Sequence, residues 1–98
     1  MFKPVISSIF LLFTQPLYAE TPIERCMVVG DLATAIMQGR QLGTPIAKLI
    51  EIAEDNDFAI ALVLLAYGQP RYSTPEYQQR AADEFGSDIV VACMSGLT

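Results

Sequence analysis

Two long segments of the chain carry apolar residues at the three- and four-residue spacing that is typical of an amphipathic α-helix. The first runs from about 22 to 41 and the second from about 75 to 95. Polar residues occupy the opposite face of each segment, and Gln41 is predicted to lie on the solvated face of the first helix. The positions that are predicted to face the core are Cys26, Val29, Ala33, Ile36 and Met37 in the first segment and Ala82, Phe85, Ile89 and Cys93 in the second.

Two shorter segments lie between these helices. Residues 45–54 have an apolar stripe typical of a short amphipathic helix, whereas residues 58–67 are an unbroken run of ten apolar residues. This run is too short to cross a membrane and has no polar face, so we predict that it forms the buried central helix. Its pattern alone is also compatible with a buried strand, but the chain offers no second strand to pair with it.

Threonine–proline pairs mark three predicted helix starts, at Thr21–Pro22, Thr44–Pro45 and Thr74–Pro75. In each pair the threonine is expected to be the N-cap and the proline to take the first helical position, where its missing N–H costs no hydrogen bond. Glu24 completes a capping box at the first start. Gly86, inside the last helix, predicts either a kink or a close crossing of two helices.

The first 19 residues have the order of a secretory signal. Lys3 supplies the positive charge, Val5–Phe13 the apolar core and Ala19 the small residue before the cleavage site. An uncleaved anchor is the alternative, but the apolar run is shorter than the roughly 20 residues needed to span a bilayer. Cleavage after Ala19 leaves one domain, 98 minus 19 or 79 residues, and predicts a periplasmic or secreted protein without stable membrane insertion.

The chain has two cysteines, Cys26 and Cys93, and in an oxidising compartment they are expected to form a disulfide. Both lie on core-facing stripes, one at the start of the first helix and one at the end of the last. An even number of helices in up-and-down order brings those two ends together. The sequence therefore predicts an all-α fold, a small up-and-down bundle closed by this disulfide, with four helices at about 22–41, 45–54, 58–67 and 75–95.

The composition excludes several kinds of chemistry. The chain has no histidine, which excludes Ser-His and Cys-His catalysis and histidine-ligated metals. Removal of Lys3 with the signal leaves five Lys and Arg against eleven Asp and Glu, a net charge of −6, which argues against nucleic acid as a partner. So small a domain leaves little room for a substrate pocket of several hundred cubic ångströms. We therefore expect no catalytic residue, no cofactor and no metal ion.

The densest acidic cluster, Glu54–Asp57, has the wrong pattern for a calcium loop. Ala59 and Ile60 stand where an EF-hand loop needs an oxygen ligand and a glycine. The cluster is predicted to be a turn in which Asp57 caps the next helix. Gly39–Gly43 is not a phosphate-binding loop either, because it lacks the lysine and hydroxyl residue that follow the glycines in a P-loop.

One loop has the composition of a recognition surface. Tyr67, Arg71 and Tyr72 lie in or beside a turn rich in breakers, with Tyr77 close behind. Tyrosine and arginine combine a large contact area with directional hydrogen bonds and dominate interface hot spots. Arg40 and Gln41, at the end of the first helix between two glycines, are candidates for the same surface. They also fit an ordinary helix C-terminus, in which the cation offsets the helix dipole. The alternative is that Tyr67 closes the core, Arg71 is solvated and Tyr77 packs on its own helix.

The leading hypothesis is a small non-catalytic binding protein that works by occlusion, such as an inhibitor or an immunity-type partner of a secreted enzyme or toxin. Its negative charge favours a basic protein partner. A second hypothesis rests on a resemblance. In size, helix content and cysteine count the chain is similar to the acid-activated periplasmic chaperones of enteric bacteria, which implies apolar surface exposed in acid. A third is an accessory subunit of an envelope assembly, in which another chain completes the helix at 58–67.

Overall fold

The computed structural model describes residues 21–96, in which four α-helices follow one another: α1 Pro22–Gln41, α2 Ile46–Ala53, α3 Asp57–Tyr67 and α4 Pro75–Ser95. The predicted fold, a small helical bundle closed by a disulfide between the first and last helices, is confirmed. Within this part of the chain no residue forms a strand, so the strand alternative for α3 is wrong. The predicted signal and its cleavage after Ala19 lie outside the described residues.

The two long helices, α1 and α4, make the most extensive contact in the bundle. At one end the disulfide joins Cys26 to Cys93, with their Cα atoms 5.6 Å apart. Further along, the helices cross closely at Gly86, where a Cβ atom would lie 1.9 Å from Thr34 Oγ1 and 3.0 Å from the carbonyl oxygen of Gly30. Of the two outcomes predicted for Gly86, the close crossing is therefore the one observed.

The hydrophobic core lies on both sides of α1. This helix packs against α4 on one side and against α3 on the other, while α2 packs mainly against α3. By contrast, α3 and α4 make at most marginal contact with each other. The bundle is therefore open between α3 and α4. The buried side chains of the core are Ala33, Ile36, Met37, Leu62, Val63, Ala66, Ala82 and Phe85.

The prediction that α3 is buried on all sides is wrong. Phe58, Leu64 and Leu65 are each more than half exposed, at 52%, 56% and 54% of their surface. The reason is that α3 packs mainly on α1 and α2, so that its remaining face is largely uncovered. The residues of α3 that are buried are Ala59, Leu62, Val63 and Ala66.

Two of the three predicted threonine caps are observed. The hydroxyl of Thr21 accepts a hydrogen bond from the N–H of Glu24, and that of Thr74 from the N–H of Tyr77. The third is wrong, because Pro45 itself is the N-cap of α2 and offers no side-chain hydrogen bond. Thr44 belongs to the preceding turn, where its N–H donates to Gly39 O at 3.0 Å.

The start of α3 also differs from the prediction by one residue. Asn56 is the N-cap, and its Oδ1 accepts a hydrogen bond from the N–H of Ala59 at 3.0 Å. Asp57 is the first residue of the helix and not its cap. A carboxylate in the first turn still favours the helix, because it lies close to the positive end of the helix dipole.

Candidate functional site

Gln41, at the end of α1, is a buried polar residue that is hydrogen-bonded to the loop before α4. The sequence pattern predicts a solvated side chain, yet only 1% of its surface is exposed. Its Nε2 donates to Pro70 O at 2.8 Å, and its Oε1 accepts from the N–H of Tyr72 at 2.8 Å. The prediction of a solvated Gln41 is wrong because its amide forms its hydrogen bonds with loop backbone about thirty residues away. A polar side chain can be buried when its hydrogen bonds are made within the protein. We call residues 68–74 the tyrosine loop.

Arg40 holds the first part of the tyrosine loop. Its guanidinium donates to Gln69 O from Nε at 3.4 Å and from a terminal nitrogen at 3.2 Å. The same group stacks over the ring of Tyr67, 5.1 Å from the ring centre. Tyr67 is half-buried, and its hydroxyl donates to the carbonyl oxygen of Thr44. Both side chains are thus engaged in contacts within the protein.

Two further hydrogen bonds hold the second part of the tyrosine loop. Arg71 Nε donates to the main-chain oxygen of Gln41 at 3.0 Å, and Gln78 Nε2 donates to Tyr72 O at 2.7 Å. Gly43 has a positive φ of 87°, and a Cβ atom there would lie 2.8 Å from the Arg71 guanidinium. The loop is therefore fixed by side chains from both long helices, and its conformation is set before any partner binds.

Tyr72, in this fixed loop, and Tyr77, in the first turn of α4, both face outward. Their ring centres are 6.2 Å apart, and 43% and 51% of their surfaces are exposed. The guanidinium of Arg80 lies over the Tyr77 ring, 5.4 Å from its centre. The pair therefore offers two neighbouring aromatic rings, with a cation beside them, on a rigid support.

The five side chains singled out in the sequence all lie at one end of the bundle, where α1 and α3 end and α4 begins. Their roles differ: Tyr67 and Arg40 make internal contacts, Tyr72 and Tyr77 are exposed, and Arg71 is exposed although its Nε is hydrogen-bonded.

Sequence reasoning placed Gln41 on the surface and did not single out Gln78, although both side chains order the loop. A signal for Gln41 did exist. It continues the four-residue spacing of Ala33 and Met37 on the buried face of α1.

A groove runs along α4 and is bordered by Leu65 near the end of α3 and by the tyrosine loop. Its volume is about 540 Å³, so the expectation that so small a domain leaves little room for a pocket of several hundred cubic ångströms is wrong. The buried residues Met37 and Phe85 line it, together with the half-buried Ile89 and the exposed Leu65. Tyr72 and Tyr77 from the loop end, with Arg80, Glu84 and Asp88 of α4, also line this space. We call it the α3–α4 groove.

The groove combines an apolar interior with charged side chains from α4. Two carboxylates, Glu84 and Asp88, and one guanidinium, Arg80, line it and are exposed, so negative charge is in excess by one. Across residues 21–96, no three acidic or cysteine side chains come together as a metal site would require. The chemistry that this arrangement offers is therefore apolar contact, aromatic stacking and attraction for positive charge.

Comparisons with protein families, with characterised proteins and with solved structures find no match to this chain. Among the helices of the described segment, none is both long and apolar enough to cross a membrane.

Proposed function

We propose that this protein is a small exported, non-catalytic binding protein that holds a protein partner in the α3–α4 groove. The observation that carries the proposal is the fixed tyrosine loop. Gln41 and Arg40 hold its backbone. The rings of Tyr72 in the loop and Tyr77 in the first turn of α4 face outward beside each other. A surface that is ordered before binding loses less conformational entropy when the partner arrives. Exposed tyrosines on rigid support are a common basis of protein recognition.

The shape of the groove favours a helix as the bound element. It runs along α4, beside the end of α3, and the buried apolar residues Met37 and Phe85 line it. A groove of this kind can accept the apolar face of an amphipathic helix. Glu84 and Asp88 border the interior on α4, so cationic residues flanking the apolar face of the partner helix would be attracted. The net charge of −5 for the whole chain acts in the same direction over longer range.

An inhibitor or an immunity-type partner of a secreted enzyme or toxin is the role that best suits these features. Such a protein works by covering a surface of its target and needs no catalytic group of its own. A fixed aromatic rim and an apolar groove supply the contact area, and the acidic side chains favour a basic target.

A defined peptide tests the groove directly. An 18-residue amphipathic helix built from leucine and lysine is titrated with the protein by fluorescence anisotropy, beside a leucine–glutamate peptide of the same pattern. We expect the basic peptide to bind and the acidic one not to. Tyr77→Ala and Asp88→Lys should each weaken binding about tenfold or more. Glu51→Lys, on exposed α2 outside the groove, makes the same charge change as Asp88→Lys and should have a smaller effect.

Equal losses from Asp88→Lys and Glu51→Lys would show that net charge alone attracts the peptide, and would overturn the groove as its site.

The natural partner can then be captured by a photo-reactive residue placed at Tyr77, with the same residue at Glu51 as control. A partner that cross-links from position 77 and not from position 51 supports the proposal. A cross-link that forms equally from both positions contradicts it.

The acid-activated chaperone remains a second candidate, because one observation favours it. Phe58, Leu64 and Leu65 already offer apolar surface, and in strong acid the carboxylates around it lose their charge. The test measures aggregation of a client protein at about pH 2.5, with and without this protein. Unsuppressed aggregation together with unchanged dye binding between neutral and acid pH would eliminate this function.

A further inference from the structure

We infer that two copies of this chain pair through the uncovered face of α3. Four apolar side chains form that face, namely Phe58, Ala61, Leu64 and Leu65, and we call them the α3 stripe. Their spacing of three, six and seven residues places them along one side of the helix. This is the pattern by which two helices pack along a shared seam.

The α3 stripe is a surface distinct from the interior of the α3–α4 groove. Ala61 and Leu64 do not line the groove, whereas Leu65 borders both surfaces. Phe58, Leu64 and Leu65 are each more than half exposed. Contiguous apolar surface of this kind on a small protein marks an interaction site. The α3 stripe can pair two copies whether or not the α3–α4 groove holds a partner.

Charge along α3 selects a second copy as the occupant. The N-terminal end of the helix is acidic, with Glu54, Asp55 and Asp57 in or beside its first turn. The C-terminal end carries a cation, because the guanidinium of Arg40 lies over the Tyr67 ring there. An antiparallel pair of α3 helices places the acidic end of each copy beside the cationic end of the other. It also sets the two helix dipoles in opposite directions, which is favourable.

The small residue of the stripe lies where the two-fold axis would pass. In an antiparallel pair, Phe58 of one copy lies opposite Leu65 of the other, and the midpoint falls beside Ala61. A small side chain at that point lets the two helices approach closely. The interface is then self-complementary, as the closed two-fold symmetry of most homodimers requires.

The oligomeric state tests this inference. Sedimentation velocity from about 1 to 500 µM should show a monomer–dimer equilibrium whose dimer fraction rises with concentration. Leu64→Glu places two like charges in the interface and should give a monomer over the same range. Val91→Glu is the matched control, because Val91 is 64% exposed on α4 and lies outside the stripe. This variant should dimerise like the wild type.

A wild-type protein that stays monomeric at every concentration would overturn the inference, as would equal loss of dimer in the two glutamate variants. Circular dichroism shows whether each variant keeps its helices. Leu64→Glu should still bind the basic peptide, since Leu64 is not a groove residue. Loss of dimer with retained peptide binding therefore separates this inference from the proposed function.

The orientation of the pair has its own test. Phe58→Cys and Leu65→Cys proteins are prepared separately, mixed and exposed to mild oxidation. If the pair is antiparallel, the disulfide between position 58 of one copy and position 65 of the other should exceed both the 58–58 and the 65–65 disulfides. Predominant cross-links between two copies of the same variant would indicate a parallel pair and would contradict the charge argument.

Discussion

The side-chain amide of Gln41 accepts a hydrogen bond from the main-chain N–H of Tyr72 at 2.8 Å, across 31 residues of sequence. The same amide donates to Pro70 O at 2.8 Å. One buried side chain therefore ties the end of α1 to the loop that enters α4. A buried amide with both ends paired is stabilising, and its loss leaves backbone groups without partners.

Replacing this amide should destabilise the protein and loosen the tyrosine loop. We expect Gln41→Leu to lower the free energy of unfolding by about 2 kcal/mol, because Pro70 O and the N–H of Tyr72 lose their partner. Gln38→Leu is the matched control, since Gln38 lies exposed one turn earlier in the same helix. It should change stability by less than about 0.5 kcal/mol. Urea unfolding measures both, and similar losses in the two variants would contradict this role for Gln41.

The disulfide should contribute strongly to stability because it closes a long loop. Cys26 and Cys93 are 67 residues apart in sequence, and the loop-entropy model gives about 4 kcal/mol for a loop of this length. We expect the free energy of unfolding of the Cys26→Ala, Cys93→Ala double variant, measured in urea, to be lower by about that amount. Reductant should shift the wild type toward the double variant and leave the double variant unchanged. A wild type that is insensitive to complete reduction would refute the prediction.

The close crossing of α1 and α4 should not tolerate a methyl group at Gly86. The added Cβ would lie 1.9 Å from Thr34 Oγ1 and 3.0 Å from Gly30 O, so the helices must separate. We expect Gly86→Ala to cost about 2 to 3 kcal/mol. Gly39→Ala is the control within α1, because its Cβ would meet the flexible end of Leu49 at 3.2 Å.

Alanine also favours a helix over glycine, so Gly39→Ala should leave the thermal midpoint unchanged or higher. A stable Gly86→Ala protein would show that the crossing can widen at little cost.

The hydroxyl of Tyr67 should matter for stability, whereas that of Tyr72 should not. Tyr67 donates to Thr44 O, so Tyr67→Phe should lose about 1 kcal/mol. Tyr72 is exposed, and its hydrogen bonds within the described segment involve its main chain. Tyr72→Phe should therefore be close to neutral. Thermal unfolding compares the two, and an equal response would contradict the distinction between internal and outward tyrosines.

The helices were predictable because their signals are local. The bounds of α1 and α4 match the prediction, since the apolar spacing and the caps at Thr21 and Thr74 lie within a few residues of each boundary. The disulfide was predictable as well, because only one pairing of two cysteines exists and helix count brings them together. These features need no knowledge of what each helix packs against.

The exposure of α3 and the burial of Gln41 depend on distant parts of the chain. An unbroken apolar run such as Phe58–Tyr67 does not reveal how many of its sides a neighbour covers, and here α4 makes at most marginal contact with it. The environment of Gln41 is set by loop backbone from Pro70 to Tyr72, which no local pattern connects to α1. Residue type was therefore enough to select the candidate residues. It did not predict which of them make internal contacts and which are exposed.

The disulfide also determines which end of the bundle faces away from an attachment point near Thr21 or Gly96. Thr21 and Gly96, the first and last described residues, both lie at the Cys26–Cys93 end of the α1–α4 pair. Gln41 and the tyrosine loop lie at the opposite end, about 22 Å away at 1.5 Å per helical residue. When the protein is immobilised on a sensor surface through Thr21 or Gly96, the rings of Tyr72 and Tyr77 therefore point away from that surface. The affinity measured on the sensor should match the affinity measured in solution.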